Sequence, residues 1–417
     1  MDRVILHCDM NSFYASVELL AHPELRSRPV AVCGDPQSRH GIILAKNDHA
    51  KSFGVATAET VWSAMKKCPD LALLKAHHDK YRDYCGKINA IYCRFTDMVE
   101  AFSIDESWLD VTGSHDLFGS GAEIAGAIRQ AVKSELGLSL SAGVSFNKIF
   151  AKMGSDFKKP DATTVISRDN FRELLWPLPV KEMFGVGGAT AAKLGRIGIG
   201  TIGGLANCDR SLLTFQFGKL GGMLHDYANG IDDSPVALAS ERKRIKSVGN
   251  GITFRRDILG EDEIRTGVTA LSDTVAGRLR KYGLKCRGVK VDIKDPLFKT
   301  ISRQKQLISA TNITSEIVGA AMSLILRYWD CTLPIRLITV TAINLQDEGD
   351  AEQMSFLCGS GEGAQADPAF RAKVERLDRA VDMIRRKYGV SAITFGNILH
   401  NDIGVDLDVH EDEHEDG

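Results

Sequence analysis

Residues 101–111, which read AFSIDESWLDV, place two adjacent carboxylates, Asp105 and Glu106, inside an apolar run typical of a β-strand. Uncompensated charge is costly in such a setting, so a positive partner is expected there. On a regular strand, neighbouring side chains point to opposite faces, and both acids can serve one site only if residues 103–107 turn between two strands. The pattern predicts a β-hairpin whose tip carries a metal pair. An ordinary solvated turn with two acids is the alternative.

A third carboxylate stands at the end of the first apolar run. Residues 4–9 read VILHCD and are followed by apolar residues at helical spacing, with Asn11 or Ser12 available to cap the helix. Asp9 is therefore expected where a strand gives way to a helix. Hard cations such as Mg²⁺ take oxygen ligands, so Asp9, Asp105 and Glu106 with a backbone carbonyl make a plausible two-metal site.

Length and composition limit the class of protein. With 417 residues, of which 44% are hydrophobic, the chain is expected to form more than one globular domain. No run is long and uncharged enough for a membrane helix, and no signal-peptide pattern is present, so the cytoplasm is the expected compartment. Nine cysteines without a Cys-x-x-Cys spacing argue against a disulfide framework and a zinc site.

The net charge of −2 hides a strong local asymmetry. Residues 242–305 contain 17 Lys and Arg against 7 Asp and Glu, whereas residues 402–417 contain 8 acids and no Lys or Arg. A basic stretch of this size is typical of a nucleic-acid contact surface, with a solvated basic face as the alternative. The end of the chain is expected to be an acidic tail.

The order of elements predicts an α/β and α+β multidomain fold. Expected strands at 4–8, 98–104, 108–111 and 138–145 alternate with expected helices at 13–20, 79–95 and 122–136, as in a ferredoxin-like sheet that would bring the three carboxylates together. Residues 23–75 form an insertion that could close over a substrate. The turn around Gly185 and Gly187 suits either a phosphate oxygen or tight helix packing. After a polar linker, residues 245–345 are expected to form a separate α+β domain, with strands at 245–253, 288–292 and 335–345.

With these residues in view, the chain resembles the Y-family DNA polymerases of the DinB type. The resemblance rests on residues 9–18, 103–111 and 141–160 and on the turn at 185–187, which occur in the family's order. It implies a ferredoxin-like palm (1–19 and 79–167), small fingers (20–78), a thumb with a helix-hairpin-helix turn (168–232), a linker (233–244), a little finger that binds DNA (245–347) and a carboxy-terminal extension (348–417).

The resemblance implies template-directed addition of deoxynucleotides to a primer 3′ end. Asp9, Asp105, Glu106 and the backbone carbonyl of Met10 would hold two Mg²⁺ ions. Primer-template DNA and deoxynucleoside triphosphates would be the partners of a monomer. The family implies low-fidelity translesion synthesis in DNA repair and damage tolerance.

Further residues receive roles from the same resemblance. Tyr14 matches the steric gate against a 2′-hydroxyl, while Phe13, Lys51 and Lys159 match nucleotide-binding positions. The expected DNA contacts are Gly185, Gly187, Lys243, Arg244, Lys246 and Arg255. A short peptide, Gln353, Met354, Phe356 and Leu357, resembles a motif that docks on the sliding clamp, although an ordinary linker would look the same. Residues 374–388 then show helical periodicity that suggests packing on a neighbour.

The fingers depart from the family pattern. Asp48 stands where a tyrosine is expected and Lys51 where an arginine is expected. Lysine keeps the charge but loses the bidentate fork, and Asp48 would repel a triphosphate unless a cation pairs with it.

Two other functions fit parts of the sequence. A nucleotide cyclase also uses paired acids on a hairpin of a ferredoxin-like sheet, but it would not need the glycine turn and the basic domain. A catalytically dead relative that only binds DNA should lack at least one of the three carboxylates, and this chain has all three.

Overall fold

The computed structural model describes residues 2–34, 41–241, 244–350, 368–399 and 401–405, which form two compact units, one up to residue 241 and one from residue 244. In the first unit the strands are β1 (Ile5–Met10), β2 (Val30–Cys33), β3 (Ile43–Lys46), β4 (Ala72–Lys75), β5 (Val99–Ala101), β6 (Glu106–Asp110), β7 (Leu140–Ser145) and β8 (Thr163–Ile166). Its helices are α1 (Phe13–Ala21), α2 (Asp48–Ser52), α3 (Val61–Lys67), α4 (His78–Tyr92), α5 (His115–Phe118), α6 (Gly121–Leu136), α7 (Lys148–Phe157), α8 (Phe171–Leu175), α9 (Gly188–Arg196), α10 (Ile202–Ala206), α11 (Arg210–Phe217) and α12 (Lys219–Ala228).

The palm is a five-stranded sheet in the order β5-β6-β1-β7-β8. All its neighbours are antiparallel except β7 and β8. Every residue of the central strand β1 is buried, because helices cover both faces of the sheet. Leu6 and Cys8 belong to a core shared with α4 and α6, whereas Ile5 packs with Ala151 of α7 on the other face. This explains why β1 is a nearly continuous apolar run.

A glycine lets α7 lie close to the sheet. A Cβ atom added to Gly143 of β7 would come within 1.8 Å of the backbone oxygen of Ala151, so no larger residue fits there without a shift of the helix. This approach places the α7 residues Lys152 and Ser155 against the face of β1 and β6 that carries the carboxylates. Close helix–sheet packing here therefore serves the site.

The expected hairpin is present. Strands β5 and β6 pair in antiparallel fashion, and the chain turns between Ala101 and Glu106. The expected side-chain cap of α1 is not formed: Ser12 stands at the position before the helix with φ 49°, and its hydroxyl makes no capping hydrogen bond.

The rest of the first unit consists of two smaller substructures and a connecting segment. Strands β3-β2-β4 form a three-stranded sheet whose small core includes α2 and α3, and helices α8–α12 enclose a second core. Part of the expected linker packs on the palm: Val236 is buried, and the backbone NH of Ala237 donates to Glu100.

The second unit is an α+β domain. Its elements are β9 (Ser247–Ile258), α13 (Gly260–Lys281), β10 (Leu284–Lys294), β11 (Thr300–Thr311), α14 (Thr314–Tyr328), β12 (Ile335–Asp347) and α15 (Pro368–Tyr388). The sheet order is β11-β10-β12-β9, all antiparallel, and α13 and α14 contribute to one core with it. Strand β11 was not expected from the sequence, because most of its residues are polar and exposed and show no clear apolar alternation.

The multidomain α/β and α+β fold class is confirmed. No helix in the described ranges is long and apolar enough to cross a membrane. Lys243 and the possible clamp-binding peptide, Gln353, Met354, Phe356 and Leu357, lie outside the described residues.

Candidate active site

The carboxylates of the first unit meet at one end of the palm sheet. Asp9 of β1 lies directly opposite Glu106 of β6 in the antiparallel register, and opposed residues project to the same face. Ile5 and His7 precede Asp9 at alternate positions of the strand, so Asp9 points toward the side covered by α7. Two of the expected metal ligands are thus neighbours.

Asp105 belongs to the same end of the sheet. Its backbone oxygen accepts a hydrogen bond of 3.1 Å from the NH of Met10, which ties the hairpin tip to the end of β1. The Ser103 hydroxyl donates to the Asp105 carboxylate at 2.7 Å. The structure therefore brings together all three acids that the sequence singled out.

Two lysines supply the positive charge that the buried acids require. The ammonium of Lys159 lies 2.7 Å from the Asp9 carboxylate and 2.8 Å from Asp156. Lys152 of α7 donates to the Glu106 carboxylate. The sequence indicated Lys159 as a phosphate contact, and in this structure its ammonium is bound to a carboxylate of the centre.

Burial dominates the protonation of the first two acids. It raises the pKa of Asp9 to about 6, although Lys159 opposes the shift. Burial also raises the pKa of Asp105, and the neighbouring Glu106 charge adds to that effect. Burial therefore makes ionisation of both groups less favourable than in water, and additional positive charge would offset that cost.

Glu106 differs from its neighbours because it has two nitrogen partners. Burial alone would raise its pKa, but the contacts with His7 and Lys152 lower it to about 2. His7 is fully buried, with its Nε2 atom 3.4 Å from Glu106 and its Nδ1 atom 2.8 Å from the Ser155 hydroxyl. Burial lowers the pKa of His7, so it lies neutral behind the carboxylate. This contact is not evident from the sequence, because a histidine inside an apolar strand usually belongs to the core.

The donor set fits a hard divalent cation. Three carboxylates supply oxygen donors at one end of the sheet. The ammonium groups of Lys152 and Lys159 lie against two of them. Within the described ranges, no three acidic, His or Cys side chains converge closely enough to ligate one ion as they stand. In this structure the Asp9 carboxylate contacts Lys159 and the Glu106 carboxylate contacts Lys152.

The expected steric gate, Tyr14, is held by a second aromatic ring. Tyr14 and Tyr81 are stacked, with their centroids 4.0 Å apart and 12° between the ring planes. The Tyr81 hydroxyl donates to Glu18 at 2.7 Å, and Glu18 is buried. No sequence motif singles out Tyr81, because a tyrosine near the start of a helix such as α4 is often a surface residue. Phe13, by contrast, has its side chain in the palm core.

The fingers place two lysines near each other. Lys51 lies exposed on α2, and its charge contributes, after burial, to lowering the pKa of Lys46. Lys46 donates to the Thr57 hydroxyl at 3.0 Å. Asp48 is exposed in the first turn of α2, and in the described part of the chain it forms no ion pair with Lys51 or His49. Lys46 was absent from the sequence candidates, since it ends a strand without a recognisable motif.

The expected DNA contacts lie in both units. In the first unit, Gly185 has φ 85° and Gly187 immediately precedes α9, as expected for a turn that presents backbone amides. In the second unit, Arg244 and Lys246 are exposed just before β9, and Arg255 is exposed on β9. These residues are accessible, and each lies on a surface of its own unit.

Comparison with known proteins agrees with this architecture. Residues 8–156 match the model of the impB/mucB/samB family, residues 245–356 match that family's C-terminal domain, and residues 168–199 match the IMS family HHH motif. A solved Y-family DNA polymerase chimera of Dbh and Dpo4 has a similar fold, with a TM-score of 0.72 and 23% identity over 82% of this chain and 98% of that one.

Curated relatives extend the similarity over nearly the whole chain. DNA polymerase IV of Acetivibrio thermocellus is 46% identical over 96% of this chain and 98% of its own length. DNA polymerase IV of Clostridium kluyveri is 38% identical over 96% of this chain and 99% of its own length. The chain therefore belongs to the Y-family DNA polymerases of the DinB type.

Proposed function

We propose that this chain extends a DNA primer by template-directed addition of deoxynucleotides and does so in translesion synthesis during DNA repair. The observation that carries the proposal is the meeting of Asp9, Asp105 and Glu106 at one end of the palm sheet, with Lys159 and Lys152 beside them. Family membership supports the same activity. A nucleotide cyclase would leave the glycine turn and the basic domain unexplained. An inactive DNA-binding relative would leave the presence of all three carboxylates unexplained.

The three carboxylates and the Met10 carbonyl are proposed to hold two Mg²⁺ ions. When bound, such ions lower the pKa of the primer hydroxyl and neutralise charge on the triphosphate and the leaving pyrophosphate. The protein's own part is to orient its ligands. Lys152 fixes the carboxylate of Glu106, and Nε2 of His7 lies 3.4 Å from it. The hydrogen bond from the Met10 NH to the Asp105 backbone oxygen fixes the spacing of the two chain segments.

Lys159 is proposed to move between two partners. In this structure its ammonium binds Asp9 and Asp156. A triphosphate would offer stronger oxygen acceptors at the same place, and the released Asp9 carboxylate would then be available to a cation. Lys51, aided by Lys46, is the proposed contact from the fingers. Phe13 would contribute through its backbone, because its side chain is buried.

Tyr14 is proposed to exclude ribonucleotides. Tyr14 stacks on Tyr81, whose hydroxyl donates a hydrogen bond to Glu18. These contacts would keep the Tyr14 ring from moving aside for the 2′-hydroxyl of a ribonucleotide. Arg244, Lys246 and Arg255 of the second unit are proposed to contact duplex DNA. Gly185 and Gly187 of the thumb turn in the first unit are also proposed DNA contacts. Lys243 and the clamp peptide at 353–357 remain part of the proposal from sequence, as do a monomeric state and a cytoplasmic location.

Low fidelity is the expected consequence of the small fingers. Their sheet has three strands of four residues each, which gives little surface to press on a nascent base pair. Discrimination between matched and mismatched nucleotides, measured by single-nucleotide kinetics, should be much weaker than that of a replicative enzyme. Equal discrimination would contradict this part of the proposal.

Primer extension on a defined template tests the activity itself. The purified chain should add the nucleotide complementary to each template base, and Asp105→Ala and Glu106→Ala should abolish extension while retaining DNA binding. Asp116→Asn is a matched control, because Asp116 is fully exposed on α5 of the same unit. DNA binding without any extension by the unaltered chain would overturn the proposal in favour of an inactive relative.

A further inference from the structure

Helix α15 carries a regular apolar seam. Its apolar positions are separated by steps of four, three, four, three and four residues, which is the spacing of a coiled-coil heptad. The β-branched residues Val374 and Val381 occupy alternate core positions, as is common in coiled coils. The seam, defined here by its members, consists of Phe370, Val374, Leu377, Val381, Ile384 and Tyr388. Over residues 370–388 it runs for about 27 Å.

Most of the seam is open to solvent. The exposed fractions are 59% for Phe370, 61% for Leu377, 38% for Ile384 and 66% for Tyr388. Val374 and Val381 are half-buried at its margin. Single exposed apolar side chains are ordinary, whereas a row at heptad spacing marks an interaction surface.

The seam does not hold α15 to its own domain; charged residues along one flank do. Arg280 of α13 is 3% exposed and binds Asp378 and Asp382 of α15. Arg385 binds Asp273 at 2.7 Å. The helix is thus fixed by buried and half-buried ion pairs on one flank, which leaves the apolar face for another contact.

The opposite flank of the seam is basic. Lys373 and Lys387 occupy equivalent positions there, two heptads apart, with Arg376 beside them. In the part of the chain that the structure describes, Lys373 forms no ion pair. The Lys387 ammonium lies 5.0 Å from the centre of the Tyr388 ring, at the end of the seam. A partner must therefore offer apolar side chains to the seam and negative charge to this basic flank.

We propose that α15 is a docking site for a helix of another protein that carries an apolar heptad seam and acidic residues along one flank. Charge complementarity selects this occupant, since residues that flank a coiled-coil seam determine partner and orientation. Only one flank of the partner needs to be acidic, because the other flank of α15 is already covered by its own domain.

Other occupants fit less well. In an antiparallel pair of two copies, the Lys373 and Lys387 flanks would face each other with like charge. In a parallel pair, Lys373 and Lys387 of one copy would face the flank of the other copy that contains Asp378 and Arg385. Those two residues already form ion pairs with α13 of their own chain. The neighbouring segments of this chain are also unsuitable: residues 351–367 contain three glycines, and residues 406–417 contain only two apolar residues.

The probe for this surface is a pair of synthetic three-heptad peptides with identical apolar residues. One carries Glu at both flanking positions and the other carries Lys, so that each repels itself and stays monomeric. Fluorescence anisotropy with the full chain at about 0.1 M salt should show binding of the acidic peptide and at least about tenfold weaker binding of the basic one. Leu377→Ser and Ile384→Ser should each lower the affinity for the acidic peptide by about tenfold or more.

Charge reversal provides the decisive control. The double variant Lys373→Glu and Lys387→Glu should bind the basic peptide in preference to the acidic one, whereas Arg386→Glu, on the same helix but away from the seam, should change neither affinity. Primer extension by all these variants should match that of the unaltered chain. Equal binding of both peptides, or no binding, would overturn the proposal. So would sedimentation showing a dimer that Leu377→Ser disrupts, since the occupant would then be a second copy.

Discussion

Removing the charge of Asp9 should stabilise the metal-free protein while abolishing its activity. Burial raises the pKa of this carboxyl from 3.8 to about 6, even though Lys159 lies 2.7 Å away. The difference between these two pKa values corresponds to about 3 kcal/mol of cost for the ionised carboxylate. Asp9→Asn removes that cost but weakens the contact of Lys159, which keeps Asp156 at 2.8 Å. The expected net gain in free energy of unfolding is about 2 kcal/mol at pH 8.

The sign of this effect depends on pH. An acid whose pKa is higher in the folded state binds its proton more tightly there than in the unfolded chain, so its ionised form destabilises the fold above about pH 6. The cost declines as the pH falls through the interval between about 6 and 3.8. The advantage of Asp9→Asn should therefore be full at pH 8, much smaller at about pH 4.5, and absent when a divalent cation neutralises the site.

Calorimetry of the full chain in a chelating buffer measures this effect. For a unit of about this size, 2 kcal/mol corresponds to a rise in Tm of roughly 4–8 °C. Asp116→Asn, with its fully exposed side chain, is the control for a change of one charge. A variant no more stable than the unaltered chain at pH 8, or an advantage that is the same at pH 4.5, would refute the reasoning.

Three further outcomes are expected. Tyr14→Val should raise ribonucleotide incorporation about tenfold to hundredfold in single-nucleotide kinetics, because it removes the ring stacked on Tyr81; unchanged selectivity would argue against a gate. Lys152→Met should lower kcat about tenfold to hundredfold and raise the metal concentration needed, with partial rescue by Lys152→Arg, since Glu106 loses its ammonium partner; unaltered metal dependence would exclude this role. Arg280→Met should lower the free energy of unfolding of the second unit by about 3–5 kcal/mol, measured by denaturant titration, because it removes a buried guanidinium and leaves two half-buried carboxylates on α15 without their ion pairs; a loss below 1 kcal/mol would show that the ion pairs do not hold the helix.

The sequence predicted the part of the site that depends on local pattern. Asp9 follows an apolar run, and Asp105 and Glu106 interrupt another, so a strand end and a hairpin tip could both be inferred from a few neighbouring residues. The antiparallel register of β1 and β6 then explains why the acids meet.

The residues that the sequence did not reveal act through contacts distant along the chain. Tyr81 meets Tyr14 across 67 residues, and Lys152 meets Glu106 across 46. Neither contact leaves a periodic signal, because Tyr81 and Lys152 are polar enough to be taken for surface residues. Strand β11 was missed for a related reason: pairing with β10 holds it in place, while its side chains remain polar and exposed.

The central claim is that Asp9, Asp105 and Glu106 form a metal-dependent polymerase centre. Its most direct test is single-turnover nucleotide incorporation on a primer-template as a function of Mg²⁺ concentration, with Asp105→Asn compared with Asp116→Asn. We expect incorporation by the unaltered chain and by Asp116→Asn to rise with Mg²⁺ and saturate, and Asp105→Asn to remain without measurable incorporation at every concentration. Incorporation by Asp105→Asn at a rate close to that of the unaltered chain, or incorporation that persists in a chelator, would contradict the account.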